Sequence, residues 1–289
     1  MTETVAYIKN SIKDFYPPGE TQALVRLIME RVCGLSTYQL LLGKGTDLSD
    51  TEKSKIKEIV EGLRQYKPIQ YLLGIADFHG LEFKVTPSVL IPRPETAELV
   101  DLIISDYKNL SPSLLDIGTG SGCIAISLAK SLPNATVSAI DISPEALAVA
   151  KENAATNEVN VDFHEMDILA NRNAIFPFSD LNGTTEPLFD CIVSNPPYIM
   201  DKEKAAMDPN VLENEPHLAL FVPDNDPLRF YRAIAQFGKR NLKEGGHLYF
   251  EINALCGNET IEMLREEGYN HIELIRDLYG KDRMTKAIL

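Results

Sequence analysis

Up to residue 72 the apolar residues of this chain recur at helical spacing. Ala23, Leu24, Leu27, Ile28 and Val32 form one run, and Ile56, Ile59, Val60 and Leu63 another. Pro17-Pro18-Gly19 separates the first helix from the second. Gly43-Lys44-Gly45 precedes a helix that starts near Ser49, with Ser49 or Asp50 as its cap and Glu52 in its first turn. A small helical bundle is therefore expected over residues 1–72. From residue 71 to 91 the pattern changes: Phe78, Leu81, Phe83, Val85, Val89 and Leu90, punctuated by Gly74 and Gly80, predict a β-hairpin that forms a connecting element over 73–92. Pro94 suits the first position of a helix running through Leu99, Val100, Leu102 and Ile103. Capping is the first reading of Glu95 and Thr96, with a direct ligand contact as the alternative, while Arg93 is a charge locked between two prolines.

Residues 93–289 alternate short apolar runs with helical ones. Strands are predicted at Leu114, Leu115 and Ile117 around Asp116, then at 135–140, 159–165, 190–194, 247–252, 271–276 and 284–289. Helices are predicted at 123–131, from Ser143-Pro144-Glu145 through Leu147, Val149 and Ala150, at 230–241 and at 259–267. The stretch 171–186 reads as a polar surface insertion, and 213–226 as a loop. This alternation predicts an α/β domain with a Rossmann-like, seven-stranded sheet whose last two strands close it as an antiparallel hairpin.

Composition keeps this picture and narrows the partners. With 44% hydrophobic and 24% charged residues the 289-residue chain reads as globular. Lys9, Lys13 and Asp14 interrupt any N-terminal apolar signal, and no run approaches the roughly 18 apolar residues of a membrane span. A cytoplasmic protein without membrane attachment is expected. Cys33, Cys123, Cys191 and Cys256 are scattered, as are the five histidines, so free thiols are expected and no metal site. Residues 1–70 carry ten Lys and Arg against nine Asp and Glu, leaving a net charge of −15 on the remainder. Such a body repels phosphate backbones, which disfavours duplex nucleic acid as a partner.

The candidate chemistry sits at strand ends. Gly118-Thr119-Gly120-Ser121-Gly122 follows the first strand of the series, with glycines at alternate positions. A dinucleotide fingerprint would need its third glycine where Cys123 stands. The alternate spacing after Asp116 instead resembles the first motif of S-adenosylmethionine-dependent methyltransferases, in which bare backbone lets a bulky nucleoside approach. Asp116 would place negative charge near the ammonium and sulfonium of that ligand. Asp141 ends the second strand and suits both ribose hydroxyls; after the third, Asp167 suits the adenine amino group and Ile168 a face of the ring. The fourth strand stops at Asn195-Pro196-Pro197-Tyr198, where two prolines forbid any regular element and stiffen the loop. Such a loop can hold a planar NH2 group: the Asn195 oxygen and a proline-flanked carbonyl accept its hydrogens, and Tyr198 covers its plane.

The segment from Tyr71 to Val100, the Asp116–Gly122 turn, Ser194-Asn195-Pro196-Pro197-Tyr198, Glu215-Pro216-His217-Leu218-Ala219-Leu220 and the stretch from Asp277 to Arg283 together resemble the HemK-type glutamine methyltransferases. That resemblance spans residues 71–289. It implies methyl transfer from S-adenosylmethionine to the side-chain amide nitrogen of the glutamine in the Gly-Gly-Gln loop of peptide chain release factors. It also implies cofactor contacts from Gly118 to Gly122, Asp141, Ile168 and Asn195, and glutamine contacts from Asn195, Pro196, Pro197 and Tyr198, with Asn195 catalytic. Residues 93–289 would form the methyltransferase domain and residues 1–72 a partner-recognition bundle. The loop from Pro223 to Pro227 and Asn253 depart from the glycines common at those places. Ribosomal-protein glutamine methylation and adenine-amino DNA methylation use related loops and stand as alternatives.

Overall fold

A computed structural model describes residues 2–36, 38–39, 48–176 and 188–289. The glycine pair Gly43 and Gly45, and most of the polar stretch expected at 171–186, lie outside the described residues. Contacts divide the chain into two units, one of Met1–Gly74 with Asp208–Asn214, the other of Ile75–Met207 with Glu215–Leu289.

The first unit is helical: Thr2–Ile12, Pro18–Cys33, Asp50–Arg64, Ile69–Leu73 and a turn at Pro209–Leu212. Pro18 occupies the first turn of its helix, where its missing N–H is harmless, and Gly34 closes that helix with φ +64°. The buried stripe there is Thr21, Leu24, Val25, Ile28 and Met29, whereas Ala23 is exposed. The expected stripe was thus rotated by part of a turn. Ser49 is the cap of the next helix: its hydroxyl accepts from Glu52 N–H at 3.2 Å while Glu52 accepts from Ser49 N–H at 2.7 Å. Ile56, Ile59, Val60 and Leu63 pack as the spacing required.

The hairpin is shorter than expected. Residues 71–73 belong to the helix Ile69–Leu73, because Gly74 (φ +78°) supplies the left-handed stop there. Strands β1 (Ile75–Phe78) and β2 (Leu81–Lys84) then pair antiparallel around His79 and Gly80, both at positive φ as a tight two-residue turn requires. Both strands fall in the second unit.

That unit is built on seven strands: β3 (Ser113–Ile117), β4 (Thr136–Asp141), β5 (Asp162–Glu165), β6 (Phe189–Ser194), β9 (Leu242–Glu251), β10 (Asn270–Arg276) and β11 (Asp282–Ile288). Two-residue strands β7 (Ile199–Met200) and β8 (Phe221–Val222) pair separately, in parallel. The sheet order is β10-β11-β9-β6-β3-β4-β5, parallel from β9 to β5 and antiparallel at β11 and β10. This is the expected seven-stranded α/β sheet with its antiparallel edge. Side chains alternate between two cores. Leu114, Val137, Cys191, Val193 and Tyr249 face the helices Pro94–Tyr107 and Cys123–Ser131; Leu115, Ile140, Ile192, Leu248 and Phe250 face Arg229–Asn241 and Gly257–Glu266. Strand β9 starts at Leu242, earlier than expected, with Gly245 (φ +76°) and Gly246 inside it. The order reverses between β3 and β6. Ligands in open sheets bind at the carboxyl side of such a reversal.

Candidate active site

A cavity of about 390 Å³ lies there, entirely within the second unit. One wall is the glycine turn after β3. Gly118 N–H and Thr119 N–H both donate to the Ile140 carbonyl, at 2.8 and 3.0 Å, and Gly120 N–H donates to Asp141 Oδ2 at 2.8 Å. The turn is therefore fastened to the end of β4. Gly118 and Gly120 have φ of +75° and +55°, and a Cβ at either would meet no protein atom within 4 Å. They keep the cavity wall at bare backbone.

Asp141 closes β4. Its second oxygen accepts from Ser143 N–H at 2.9 Å, and the Ile142 N–H also lies against the carboxylate. Burial pushes its pKa up, against those same backbone bonds. Asp167 accepts from Leu169 N–H at 2.8 Å through Oδ1, and Ile168 beside it is buried against the cavity. Thus Gly118, Thr119, Gly120, Ser121, Asp141, Asp167, Ile168, Asn195, Pro196 and Pro197 are all gathered on one cavity. Two expected members are not on its lining. Gly122 (φ +82°) packs away from it, and a Cβ there would lie 2.8 Å from Ile126 Cδ1 and 3.2 Å from Ala150 Cβ. Tyr198 turns inward, its hydroxyl donating to Glu251 Oε1 at 3.1 Å, because a buried carboxylate there needs donors. Asp116 is likewise behind the wall. It is 1% exposed, accepts from the Thr119 hydroxyl at 2.6 Å, and leaves Oδ1 without a partner among the described residues. Burial, with the Asp141 charge adding to it, pushes Asp116 up to about 7.

The opposite wall joins Asn195 to two residues, Thr96 and Glu251, to which the sequence pattern assigned no catalytic part. Asn195 Nδ2 donates to Thr96 Oγ1 at 3.2 Å, and Thr96 Oγ1 donates to Glu251 Oε2 at 2.6 Å. Thr96 does not cap its helix: the cap position is Arg93 and no side chain serves it. Glu251 ends β9 and is 1% exposed. Burial pushes its pKa up, while Thr96, Tyr198 and the Arg283 charge pull it down. A strand-end carboxylate after Leu248-Tyr249-Phe250 repeats the signal that marked Asp141, and the same rule applied to β9 finds it. Arg93 forms an ion pair with Glu215, whose other oxygen accepts from Ile91 N–H at 3.3 Å. That pair draws Pro216, Leu218 and Ala219 to the rim. Asn253 donates to the Tyr198 carbonyl at 3.0 Å and to Glu203 at 2.9 Å, bracing the loop after β6.

Asp141, Glu145 and Asp167 line the cavity against one cation, Arg93, which Glu215 already neutralises. Apolar faces with acidic edges suit a nucleoside carrying positive charge and repel a pyrophosphate. Cys123 also lines the cavity, and burial pushes its thiol up to about 12, away from the thiolate form. Among the described residues no helix is long and apolar enough to cross a membrane.

Comparisons with known proteins agree with this geometry. The family described as PrmC N-terminal domain matches residues 5–74, and the family described as Methyltransferase small domain matches 98–218. A protein of Bacteroides thetaiotaomicron named Release factor glutamine methyltransferase is 47% identical over 99% of both chains. One of the same name from Flavobacterium psychrophilum is 46% identical, over 96% of this chain and 95% of its own. Among solved structures, the hMettl16 catalytic domain superposes with a TM-score of 0.54 at 14% identity, over 84% of this chain and 83% of that one, a likeness of fold alone. At this identity and coverage, the chain belongs to the release factor glutamine methyltransferase family.

Proposed function

We propose that this chain methylates the side-chain amide nitrogen of the glutamine in the Gly-Gly-Gln loop of peptide chain release factors, using S-adenosylmethionine. One observation carries the reading. Asn195 stands on the same cavity as the glycine turn, Asp141 and Asp167, with an Oδ1 that receives no hydrogen bond from the described residues. The cofactor supplies an activated methyl group when bound. Gly118 to Ser121 would cradle it with bare backbone, Asp141 would accept from the ribose hydroxyls, and Asp167 with Ile168 would hold the adenine.

An amide nitrogen is a reluctant nucleophile because its lone pair is shared with the carbonyl. Asn195 Oδ1 and the Pro196 carbonyl, which accepts nothing from the described residues, would each take one amide hydrogen. That grip aims the nitrogen and favours its pyramidal form, and orientation of this kind can supply up to about 7–11 kcal/mol. No strong base is needed, because the nitrogen turns acidic only as its new bond forms, and the released proton would pass to solvent water. The helical unit, nearly neutral while the rest of the chain carries a net charge of −15, would serve partner recognition.

The test is mass spectrometry of the Gly-Gly-Gln peptide of a release factor incubated with this protein and S-adenosylmethionine. A mass gain of one methyl on the glutamine is expected; an unmodified peptide beside methylation of ribosomal protein or of adenine in DNA would overturn the assignment.

A further inference from the structure

We infer that Glu251 and Thr96 form a polarity relay that fixes which end of the Asn195 amide faces the cavity. The inference rests on the reading of Asn195 as the clamp for the target amide, and it adds two positioning residues to that clamp.

A carboxamide has two ends of nearly equal shape and opposite chemistry: an oxygen that accepts and an NH2 that donates. Only the oxygen can hold an incoming NH2 group. A half-turn about the last side-chain bond would present donors to donors and abolish the grip. Steric packing distinguishes the two orientations poorly, so a hydrogen-bond partner must decide between them. The only partner of the Asn195 side chain among the described residues is Thr96 Oγ1.

A threonine hydroxyl is ambiguous, since it owns one hydrogen and can also accept. Were that hydrogen given to Asn195, the amide oxygen would turn towards Thr96 and away from the cavity. Glu251 removes the ambiguity. Its Oε2 takes the Thr96 hydrogen at 2.6 Å, a short charge-assisted bond, while Oε1 takes the Tyr198 hydroxyl at 3.1 Å. The carboxylate is 1% exposed and can find no water to replace either donor. With its hydrogen committed, Thr96 can only accept, and the Asn195 group that faces it must be the NH2. Oδ1 is thereby left pointing at the unclaimed side. The residue that sets the polarity lies on β9, the hydroxyl that transmits it on the helix Pro94–Tyr107, and the amide that uses it after β6.

A relay differs from a merely structural contact in what each substitution does. Thr96→Val keeps the shape and deletes the acceptor. Thr96→Ser keeps the hydroxyl and deletes a methyl. Glu251→Gln removes the charge and leaves one acceptor oxygen for two hydroxyl donors, so the Thr96 hydrogen is no longer committed and the orientation of the Asn195 amide is no longer fixed.

The experiment uses the full chain, S-adenosylmethionine and the Gly-Gly-Gln peptide, and reads kcat, the cofactor dissociation constant by calorimetry and the side-chain amide NMR signal of Asn195. Thr96→Val and Glu251→Gln should each lower kcat on the order of 10- to 100-fold, with cofactor affinity within about twofold. Thr96→Ser should recover most of that loss. In cofactor-free protein the Asn195 amide protons should be protected from exchange in the native chain and in Thr96→Ser, and unprotected in Thr96→Val. Added to Asn195→Ala, Thr96→Val should cost nothing further, because the relay would have no target. A Thr96→Ser variant as impaired as Thr96→Val, or losses that multiply in the double variant, would overturn the relay while leaving the clamp standing. Near-native turnover by Asn195→Ala would instead remove the clamp, and the relay with it. Should Thr96→Val not fold, Glu251→Gln carries the same comparison.

Discussion

The two walls of the cavity are held by different kinds of contact. The cofactor wall is fastened locally: Thr119 to Asp116 across 3 positions, Ser143 to Asp141 across 2, and Gly120 to Asp141 across 21, one strand-to-strand step. The target wall is fastened at long range: Asn195 to Thr96 across 99 positions, Thr96 to Glu251 across 155, and Tyr198 to Glu251 across 53. Local fastening means that the first wall forms wherever one βαβ unit folds. The second exists only once β6, β9 and the helix Pro94–Tyr107 have all docked. A break in the first should therefore show as lost cofactor affinity, and a break in the second as lost turnover.

Asn195→Ala tests the second wall most severely. Turnover should fall by roughly 10²–10³, as when one preorganised contact made mainly in the transition state is deleted. Cofactor affinity should stay near native if the Asn195 oxygen is unclaimed by the cofactor. Steady-state kinetics beside calorimetry checks both, and a loss confined to affinity would move Asn195 to the other wall.

Asp141→Ala is the counterpart on the cofactor wall. A bond to a charged group contributes about 1.5–3 kcal/mol, so the net loss of one ribose bond should raise the dissociation constant for S-adenosylmethionine about 10- to 100-fold. At saturating cofactor, kcat should change far less. If turnover fell as steeply as affinity, the division between the walls would be artificial.

The same division explains what could be read from the sequence. The glycine turn, Asp141, Asp167 and the Asn195 loop each announce themselves within a few residues, through glycine spacing, a polar strand end or a proline pair. The seven strands and their antiparallel edge were legible for the same reason, because each is a local apolar run. Thr96 and Glu251 were not. Thr96 sits in a helix's first turn, where capping offers a sufficient reading that the structure does not bear out; Glu251 carries the local mark of a strand-end carboxylate, but its role depends on a hydroxyl 155 positions away. Tyr198 shows the same limit: its place beside Asn195 suggested a lid over the target, and only the long-range contacts reveal that its hydroxyl is held by a buried carboxylate. Gly122 looks like part of the cofactor cradle, but its packing against Ile126 and Ala150 is what excludes a side chain.

Gly122→Ala turns that last point into a measurement. At φ +82°, with a Cβ 3.2 Å from Ala150 Cβ, the substitution should lower unfolding stability by about 1–3 kcal/mol in denaturant titration. Gly118→Ala, with open space at its Cβ, should pay the backbone strain alone and spoil cofactor affinity instead.

The smallest expected effect compares the buried carboxylate behind each wall. Glu251 has a hydroxyl on both oxygens, whereas Asp116 has donors on one side and an orphaned Oδ1 on the other. Burial raises both, and for Asp116 the value reaches about 7, against an ordinary 3.8. A folded-state pKa above the unfolded one means that the native chain holds a proton the unfolded chain has released. The stability linked to Asp116 is therefore fully present below about pH 4 and is lost as pH rises through about 7. Asp116→Asn stays neutral throughout, keeps an oxygen for the Thr119 hydroxyl, and should lose this part of the pH dependence. Its Tm relative to the native chain should therefore climb between pH 5 and 8, by calorimetry in matched buffers. Parallel Tm curves would mean that Asp116 is already ionised in the fold, its bare oxygen tolerated because the Thr119 and Ala125 donors suffice.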